Sequence, residues 1–378
     1  MLFSSNKNFP VGINMSDTGI KIVQLKKVRD NIKVQALGKI NLEKSLISKG
    51  RIIKKSEIIA AINKLFAKPD FGAVNNNEIV ASLPEENTFI KLIKVEKTPN
   101  QIADVLEGEI EKHFPVSLKE IYYDWQKIKE SDYSYDILIG AAPKLIVNQY
   151  LELFNDAKLS VQAFEIESTA ICRSLLAEES KKSNKLNKNY CVIDIGATRA
   201  NMIIYTKGTI ATTMGLPVSS EQITEKIAKA LEIKKDQAEK AKIICGLDKS
   251  QAHGIVNDIL SDMINSLIKK IKEVLSFYND NYSKYGPIDE ILLCGGGANI
   301  KKIEATIFEA LSIKTSLANP LINFGEVDDN TLKIFIQSHK LKLKNNTEKD
   351  SISLKQNSSL VYSTAIGLAL RNIFLAKI

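Results

Sequence analysis

The string Asp194-Ile195-Gly196-Ala197-Thr198 closes an apolar run and has the composition of an anion site. When a strand ends in Asp, then Gly, then a small hydroxyl residue, the N–H groups of the tight turn can point at a phosphate, and Gly permits close approach. The Thr198 hydroxyl adds a donor, and Asp194 would hold Mg²⁺ through water, because Mg²⁺ keeps much of its hydration shell. The same residues also suit an ordinary hairpin turn, with Asp favouring the bend. Gly295-Gly296-Gly297-Ala298 follows the apolar run ending at Cys294 and precedes a helical pattern at 300–311. Consecutive glycines let a flat ligand lie against backbone and expose a helix N-terminus to anions. The competing reading is a strand-to-helix turn that needs left-handed conformations. In Ala238-Glu239-Lys240-Ala241-Lys242, Glu239 and Lys242 are three apart and share a helix face. They could bracket an adenosine, with Glu accepting from ribose hydroxyls and Lys packing on the base. In isolation they read as a solvated surface ion pair. Glu167 opens a helix after a strand. It is a candidate to position a water, or an acid that answers the helix dipole.

These residues need elements to place them. Residues 190–214 read as three short strands joined by a turn and by Lys207-Gly208, and residues 11–40 repeat that layout. The two blocks register at an offset of 180: Ile13 with Ile193, Asn14 with Asp194, Ser16 with Gly196, Thr18 with Thr198, Ile22 with Met202. One hairpin repeated at domain-length spacing suggests two similar domains facing each other. Between the repeats, a helix is expected over 56–68 with Ser56 as N-cap and Pro69 as stop. Strands at 80–84 and 89–95, a helix opened by Thr98-Pro99 and stopped by Pro115, and strands at 122–125 and 135–142 make a small α+β insertion. A helix at 144–158, a strand at 161–166 and a helix at 167–178 follow. Residues 180–189 read as an exposed linker. Helices are expected at 219–231, 235–245 and 251–282, a surface excursion at 323–358 that is lysine-rich at 340–349, and a final helix at 361–378.

Composition narrows the classes. The chain has 378 residues, 44% hydrophobic and 25% charged, which fits two or three globular domains and excludes disordered and fibrous proteins. No apolar run reaches the roughly 18–20 residues of a membrane-spanning helix, and the start at Met1 lacks a signal-peptide pattern. A soluble cytoplasmic protein is expected. The net charge of +8 reads as lysines on solvated faces. Cys172, Cys191, Cys245 and Cys294 form no CxxC pair and read as reduced core residues. His113, His253 and His339 are scattered, without partners at ligand spacing for zinc.

The order of the motifs is more specific than any one of them: turn, Glu-bearing helix, turn, Glu/Lys helix, triple glycine, then the small-residue helix Thr364-Ala365-Ile366-Gly367-Leu368-Ala369-Leu370-Arg371. This order resembles the actin-like ATPase superfamily. Glu109-Ile110-Glu111-Lys112-His113-Phe114-Pro115, then Tyr123-Asp124-Trp125, then Ala141-Ala142-Pro143-Lys144 look like the inserted subdomain of the PilM family of type IV pilus assembly proteins. The stretch 238–242 and the ending 365–371 are similar to that family too. The resemblance covers about residues 10–320 and 361–372.

The resemblance implies an α/β, actin-like ATPase fold: two RNase H-like domains facing a nucleotide cleft, with a small α+β inserted subdomain. The first domain would comprise 9–84, 144–185 and 361–378, the partner-binding insertion 85–143, and the second domain 189–360, with a helical subdomain at 215–250. The implied cofactors are ATP and Mg²⁺. Asn14, Ser16, Asp17, Thr18, Lys21, Asp194, Gly196, Ala197, Thr198, Asn201, Glu239, Lys242, Gly295, Gly296, Gly297 and Ala298 would contact the nucleotide, Asp194 would hold Mg²⁺ through water, and Glu167 would position the attacking water. The implied role is a cytoplasmic adaptor, peripheral to the inner membrane, that docks the N-terminal tail of a bitopic PilN-like partner and links it to the motor ATPase. Self-association stays open, and no nucleic acid or direct membrane insertion is expected. One departure stands out. Where the family has an acidic residue followed by Ile-Gly, this chain has Asn14-Met15-Ser16, which attracts Mg²⁺ less and crowds a phosphate. Asp17 is adjacent, and its charge has two readings: compensation for the missing carboxylate, or repulsion of phosphate. Weak or absent turnover is expected, and a scaffold that binds no nucleotide remains an alternative. So does an FtsA-like division protein, although only seven residues follow Arg371, too few for that family's membrane-tethering helix.

Overall fold

The structure is a computed structural model that describes residues 9–29, 31–97, 102–113, 117–177, 188–339 and 358–375. The chain forms two compact units. The described residues within Met1–Glu178, Thr209–Thr212 and Pro320–Ile378 make the first, and those within Glu179–Gly208 and Thr213–Asn319 the second.

In the first unit, β1 (Val11–Ser16), β2 (Gly19–Val28) and β3 (Asn31–Asn41) form an antiparallel meander. Both faces of the sheet are covered, so these strands read as near-continuous apolar runs. The period of two still sorts the side chains. Ile13, Met15, Ile20 and Ile22 enter one core, and Val23, Leu25, Val34 and Leu37 enter another. A small hairpin of β4 (Ile47–Ser48) and β5 (Arg51–Ile52) leads into α1 (Lys55–Ala67). Ile58, Ile62 and Leu65 of α1 seal the first core, as their spacing predicts. Ser56 is not the N-cap: Lys54 holds that position without a side-chain bond, and the Ser56 hydroxyl donates to Glu57 inside the first turn. Next come β6 (Phe71–Gly72) and β7 (Glu78–Leu83).

β8 (Phe89–Glu96), α2 (Ile102–His113), β9 (Ile121–Glu130) and β10 (Ser134–Pro143) build the insertion, with strand order β8-β10-β9. It has its own core of Ile93, Val95, Leu106, Ile110, Ile137 and Ile139. Trp125 packs against that core, whereas Tyr122 and Tyr123 are exposed. Those two tyrosines therefore do not fill the interior. The chain then runs through α3 (Lys144–Asp156) and β11 (Ser160–Ile166) to α4 (Glu167–Leu175), which ends three residues short of the expected 178. The main sheet has the order β11-β7-β1-β2-β3-β6, with β11, β7 and β1 parallel.

In the second unit, β12 (Tyr190–Ile195), β13 (Ala200–Thr206) and the end of β14 (Thr209–Leu216, whose first four residues count with the first unit) precede three helices: α5 (Ser220–Leu231), α6 (Lys235–Ile244) and the 28-residue α7 (Ile255–Tyr282). β15 (Glu290–Cys294), α8 (Ile303–Leu311) and β16 (Thr315–Leu317) complete it. The strand order is β16-β15-β12-β13-β14, and β12 pairs β15 in parallel with Asp194 opposite Cys294.

The chain returns to the first unit through α9 (Asp329–His339) and α10 (Ser363–Leu375). The excursion expected at 323–358 is not a surface feature over its described part. Phe324, Ile334 and Phe335 are buried in the second core of the first unit, beside Tyr362 and Ile366. These residues also fall in the first unit, not in a second domain reaching to 360. Most of the expected 180–189 linker, the Thr98-Pro99 and Phe114-Pro115 helix boundaries and the lysine-rich 340–349 lie outside the described residues. Cys172, Cys191 and Cys294 are buried, and none of the four cysteines is in a disulfide. Burial raises the Cys172 and Cys191 thiols well above their usual range. No helix among the described residues is long and apolar enough to cross a membrane.

Candidate functional site

In the first unit the parallel strands β1, β7 and β11 end side by side, and in open α/β sheets ligands gather outside such carboxyl ends. The strand ends deliver Asn14, Ser82 and, just past β11, Glu167. All are buried, with Asn14 6% and Glu167 8% exposed. The Asn14 amide donates to the Ser82 hydroxyl at 3.0 Å and to the Glu167 carboxylate at 3.1 Å. The structure thus brings two predicted residues together. The amide nitrogen of Asn14 faces a carboxylate and a hydroxyl within its own unit. Glu167 heads α4, where a carboxylate suits the dipole. The next N–H, that of Ser168, donates to Glu85 at 3.0 Å from 83 residues away. Ser82 and Glu85 were not singled out in the sequence. Their signal was polarity at the end of the otherwise apolar run Val80-Ala81-Ser82-Leu83-Pro84-Glu85.

The turn beyond Asn14 is built from side chains. The Ser16 hydroxyl donates to the Gly19 carbonyl at 3.1 Å and shares a 3.4 Å contact with the Thr18 hydroxyl. The Asp17 carboxylate accepts the N–H groups of Lys49 and Gly50, each at 3.1 Å. Asp17 therefore anchors the 49–50 turn. Lys21 lies directly opposite Asn14 on β2.

Glu165 carries a network the sequence did not flag. It accepts from both terminal nitrogens of Arg173, at 2.6 and 2.8 Å, and from Arg371. Arg173 also donates to the Gly367 carbonyl at 2.9 Å. This ties α10 to α4 where a Cβ on Gly367 would stand 1.8 Å from the Ala170 carbonyl oxygen. The small residues of the final helix thus serve close backbone approach.

In the second unit Asp194 pairs with Asn201 across the hairpin, the same register as Asn14 with Lys21. The carboxylate of Asp194 accepts from the Cys294 thiol at 3.6 Å. Past it, the carbonyls of Gly196 and Ala197 accept the N–H groups of Ser220 and Glu221, at 3.0 and 2.9 Å. The hairpin thereby caps α5. Because a trans peptide holds its C=O and N–H on opposite sides, the N–H groups of Ala197 and Thr198 point away from α5. A turn of outward N–H groups beside a carboxylate fits a phosphate with a water-held Mg²⁺.

Lys242 departs from the surface-pair reading of its sequence: its side chain is 0% exposed, so it is not a solvated surface charge. Its ammonium donates to the Ser220 hydroxyl at 2.8 Å, the Thr224 hydroxyl at 2.9 Å and the Glu239 carboxylate at 2.6 Å. Burial lowers its pKa, and the Glu239 charge offsets only part of that. Thr224 also donates to Glu239 at 2.6 Å. Glu239 remains 41% exposed and keeps an outward face for a ligand hydroxyl.

At the glycine turn, Gly295 has φ +78°, and a Cβ there would meet Asp194 Oδ1 at 2.3 Å. A Cβ on Gly297 would meet Ile195 at 2.2 Å. Both glycines are needed for packing on β12. Gly296–Asn299 form a short 3₁₀ turn, and α8 begins only at Ile303, so the glycines do not open an α-helix. Among the described residues no group of three or more His, Cys, Asp or Glu could hold a metal.

Both units pair a strand hairpin with packed helices, and the whole is an actin-like ATPase fold. It is similar to the PilM-PilN type IV pilus biogenesis complex, with TM-score 0.75 and 18% identity over 96% of this chain and 98% of that one. The ethanolamine utilization protein EutJ from Carboxydothermus hydrogenoformans is more distant, with TM-score 0.53 and 14% identity over 96% and 89% of the two chains. In sequence, the cell division protein FtsA of Buchnera aphidicola (subsp. Acyrthosiphon pisum, strain APS) is 22% identical, covering 87% of this chain and 88% of its own length. The family model for type IV pilus assembly protein PilM matches residues 12–373. The chain belongs to that family.

Proposed function

We propose that the protein is a cytoplasmic adaptor of type IV pilus assembly that binds ATP, docks the N-terminal tail of an inner-membrane PilN-like partner, and links it to the motor ATPase. The observation that carries the reading is membership of the PilM family over 12–373, together with an insertion that has its own core and turns Tyr122 and Tyr123 outward. Exposed aromatics of this kind serve as anchors in recognition surfaces. The solved relative's title names a complex with PilN, which supports a partner of that type here. Such a tail orders on docking, so its affinity is modest.

Within the second unit, nucleotide binding uses the turn 194–198 for phosphates and Glu239 with Gly295–Ala298 for adenosine. Turnover is slow or absent, because Asn14 removes a charge from the metal side and holds Glu167, the candidate water-positioning group. Titration of the full-length protein with the partner's cytoplasmic peptide tests the docking. Tyr122→Ala with Tyr123→Ala should weaken it, and undiminished affinity moves the partner site elsewhere. For nucleotide, Asp194→Ala should weaken Mg²⁺-dependent ATP binding more than Mg²⁺-independent binding, and equal losses make Asp194 structural. A scaffold without nucleotide stays the second reading, favoured by the amide of Asn14 where a metal-facing carboxylate would stand. The absence of ATP binding in either condition would select it.

A further inference from the structure

The residues offered to adenosine sit on two separate stretches of the second unit: Glu239 on α6, and the glycine turn at 295–298. The loop that leaves α6 joins them. Gly246 turns with φ +48°, and a Cβ there would lie 2.6 Å from the Lys301 backbone nitrogen and 2.7 Å from its carbonyl oxygen. The Leu247 N–H donates to the Lys301 carbonyl at 2.9 Å. Asp248 follows. Its side chain is 6% exposed, and its carboxylate accepts from Lys302 at 2.8 Å and lies 3.2 Å from the Lys301 ammonium. It also accepts the hydroxyl of Ser250 at 2.8 Å and the Ser250 N–H at 3.2 Å. Lys302 and Ser250 together hold the carboxyl far below the usual carboxylate range. On the other side, Ile300 donates to the Gly297 carbonyl at 3.2 Å, so the segment gripped by Asp248 continues directly from the glycine turn.

We infer that Asp248 is a positioning residue for the nucleoside half of the site, latching the loop after α6 to the segment after the glycine turn. The inference rests on the nucleotide reading proposed above and assigns a residue that touches no ligand itself. A latch between two ligand-bearing stretches lowers the ordering cost of binding between them. It leaves the phosphate turn alone, because Gly196 and Ala197 are held by α5, not by this loop. The consequence is selective: loosening Asp248 costs affinity for nucleosides and spares affinity for a bare polyphosphate.

The test titrates the full-length protein with ATP and, separately, with inorganic tripolyphosphate, both with Mg²⁺. Asp248→Asn should weaken ATP by about tenfold and leave tripolyphosphate unchanged. Ser250→Ala, which removes one bond to the carboxylate, should shift ATP in the same direction by less, and it carries the test if Asp248→Asn fails to fold by circular dichroism. Equal losses for both ligands would make Asp248 a fold residue only, and unchanged ATP affinity in both variants would also overturn the assignment. If the wild type binds tripolyphosphate but ATP no better, or binds neither, the nucleotide reading fails first and takes the latch with it.

Discussion

The two hairpins are equivalent in register and different in how they are closed. Asn14 opposes Lys21 as Asp194 opposes Asn201, so the offset of 180 in the sequence is an offset of 180 in strand pairing. The first hairpin then pairs as far as Ser16 with Gly19 and closes on two residues. The second stops at Ile195 with Ala200 and leaves four. In the first, side chains satisfy the turn: the Ser16 hydroxyl donates to the Gly19 carbonyl, and the Asp17 carboxylate ties the turn to residues 49–50. In the second, backbone carbonyls do so by capping α5. A turn closed by side chains depends on their identity, here Ser16 and Asp17. A turn closed by backbone depends less on its side chains, although a Cβ on Gly196 would lie 2.8 Å from the Arg199 carbonyl oxygen.

The comparison breaks most severely at the glycines that let each hairpin be packed. A Cβ on Gly12 would meet backbone atoms of α10, Ala365 O at 2.3 Å and Ala369 N at 2.6 Å. The whole helix must then shift. A Cβ on Gly297 meets mainly the Ile195 side chain, which can give. Gly12→Ala should cost about 3 kcal/mol or more, and Gly297→Ala about 1–2 kcal/mol. Denaturant unfolding read with limited proteolysis of each unit checks the order, and equal costs would show that α10 yields as easily as one isoleucine.

Asn14→Asp makes the first hairpin resemble the second. It places a second carboxylate against buried Glu167 where an amide now donates. Like charges at such a distance raise the pKa of the pair. A raised folded pKa means that the penalty is absent below the unfolded value of about 4 and grows as pH rises through the folded pKa. The variant should match wild type at low pH and lose about 2–3 kcal/mol at pH 7. Mg²⁺ should recover part of the loss if position 14 faces a metal. A variant as stable as wild type at pH 7 without Mg²⁺ would mean that the 3.1 Å contact has no energetic weight.

A smaller effect is expected at Asp17, whose two backbone donors an amide oxygen serves less well. Asp17→Asn should cost about 1–2 kcal/mol and free the 49–50 turn. Amide exchange at Lys49 and Gly50 reports it, and unchanged protection there would remove Asp17 from the closure of the first turn.

Much of this was legible in the sequence, for reasons that also mark the limit. The hairpins show because a strand of period two ending in a polar residue is a local pattern, and two copies reinforce each other. The insertion shows because Leu106 and Ile110 keep helical spacing while Ile137 and Ile139 alternate. What was hidden depends on partners far along the chain. Phe335 looked peripheral within a polar stretch, yet it buries itself against Tyr362. Nothing near Glu165 in the sequence marks its partner Arg371, which lies 206 residues later. Lys242 looked like half of an i, i+3 surface pair, because nothing local reveals that Ser220 and Thr224 close over it. Ser56 resembled an N-cap by type, but the helix began one residue before it.

The faintest effect concerns Lys242, which holds the helix that the second hairpin caps. Its ammonium has three well-placed acceptors, and burial still lowers its pKa below 10.5. The unfolded chain therefore binds more protons than the folded one between that lowered value and 10.5, so this group adds stability as pH rises through the window. The exposed lysines Lys55, Lys97 and Lys235 are raised by their carboxylate partners and slope the other way. The contribution of Lys242 thus shows only as a difference between variants. Lys242→Met keeps the length and apolar stem of the side chain, and Thr224 can still donate to Glu239. At pH 7 the change should lie within about 1 kcal/mol, as for other buried charges replaced by apolar groups of similar volume. From pH 8 to 10 wild type should gain on the variant. Parallel stability curves over that range would mean that Lys242 titrates as a solvated lysine and that α5 is held by other contacts.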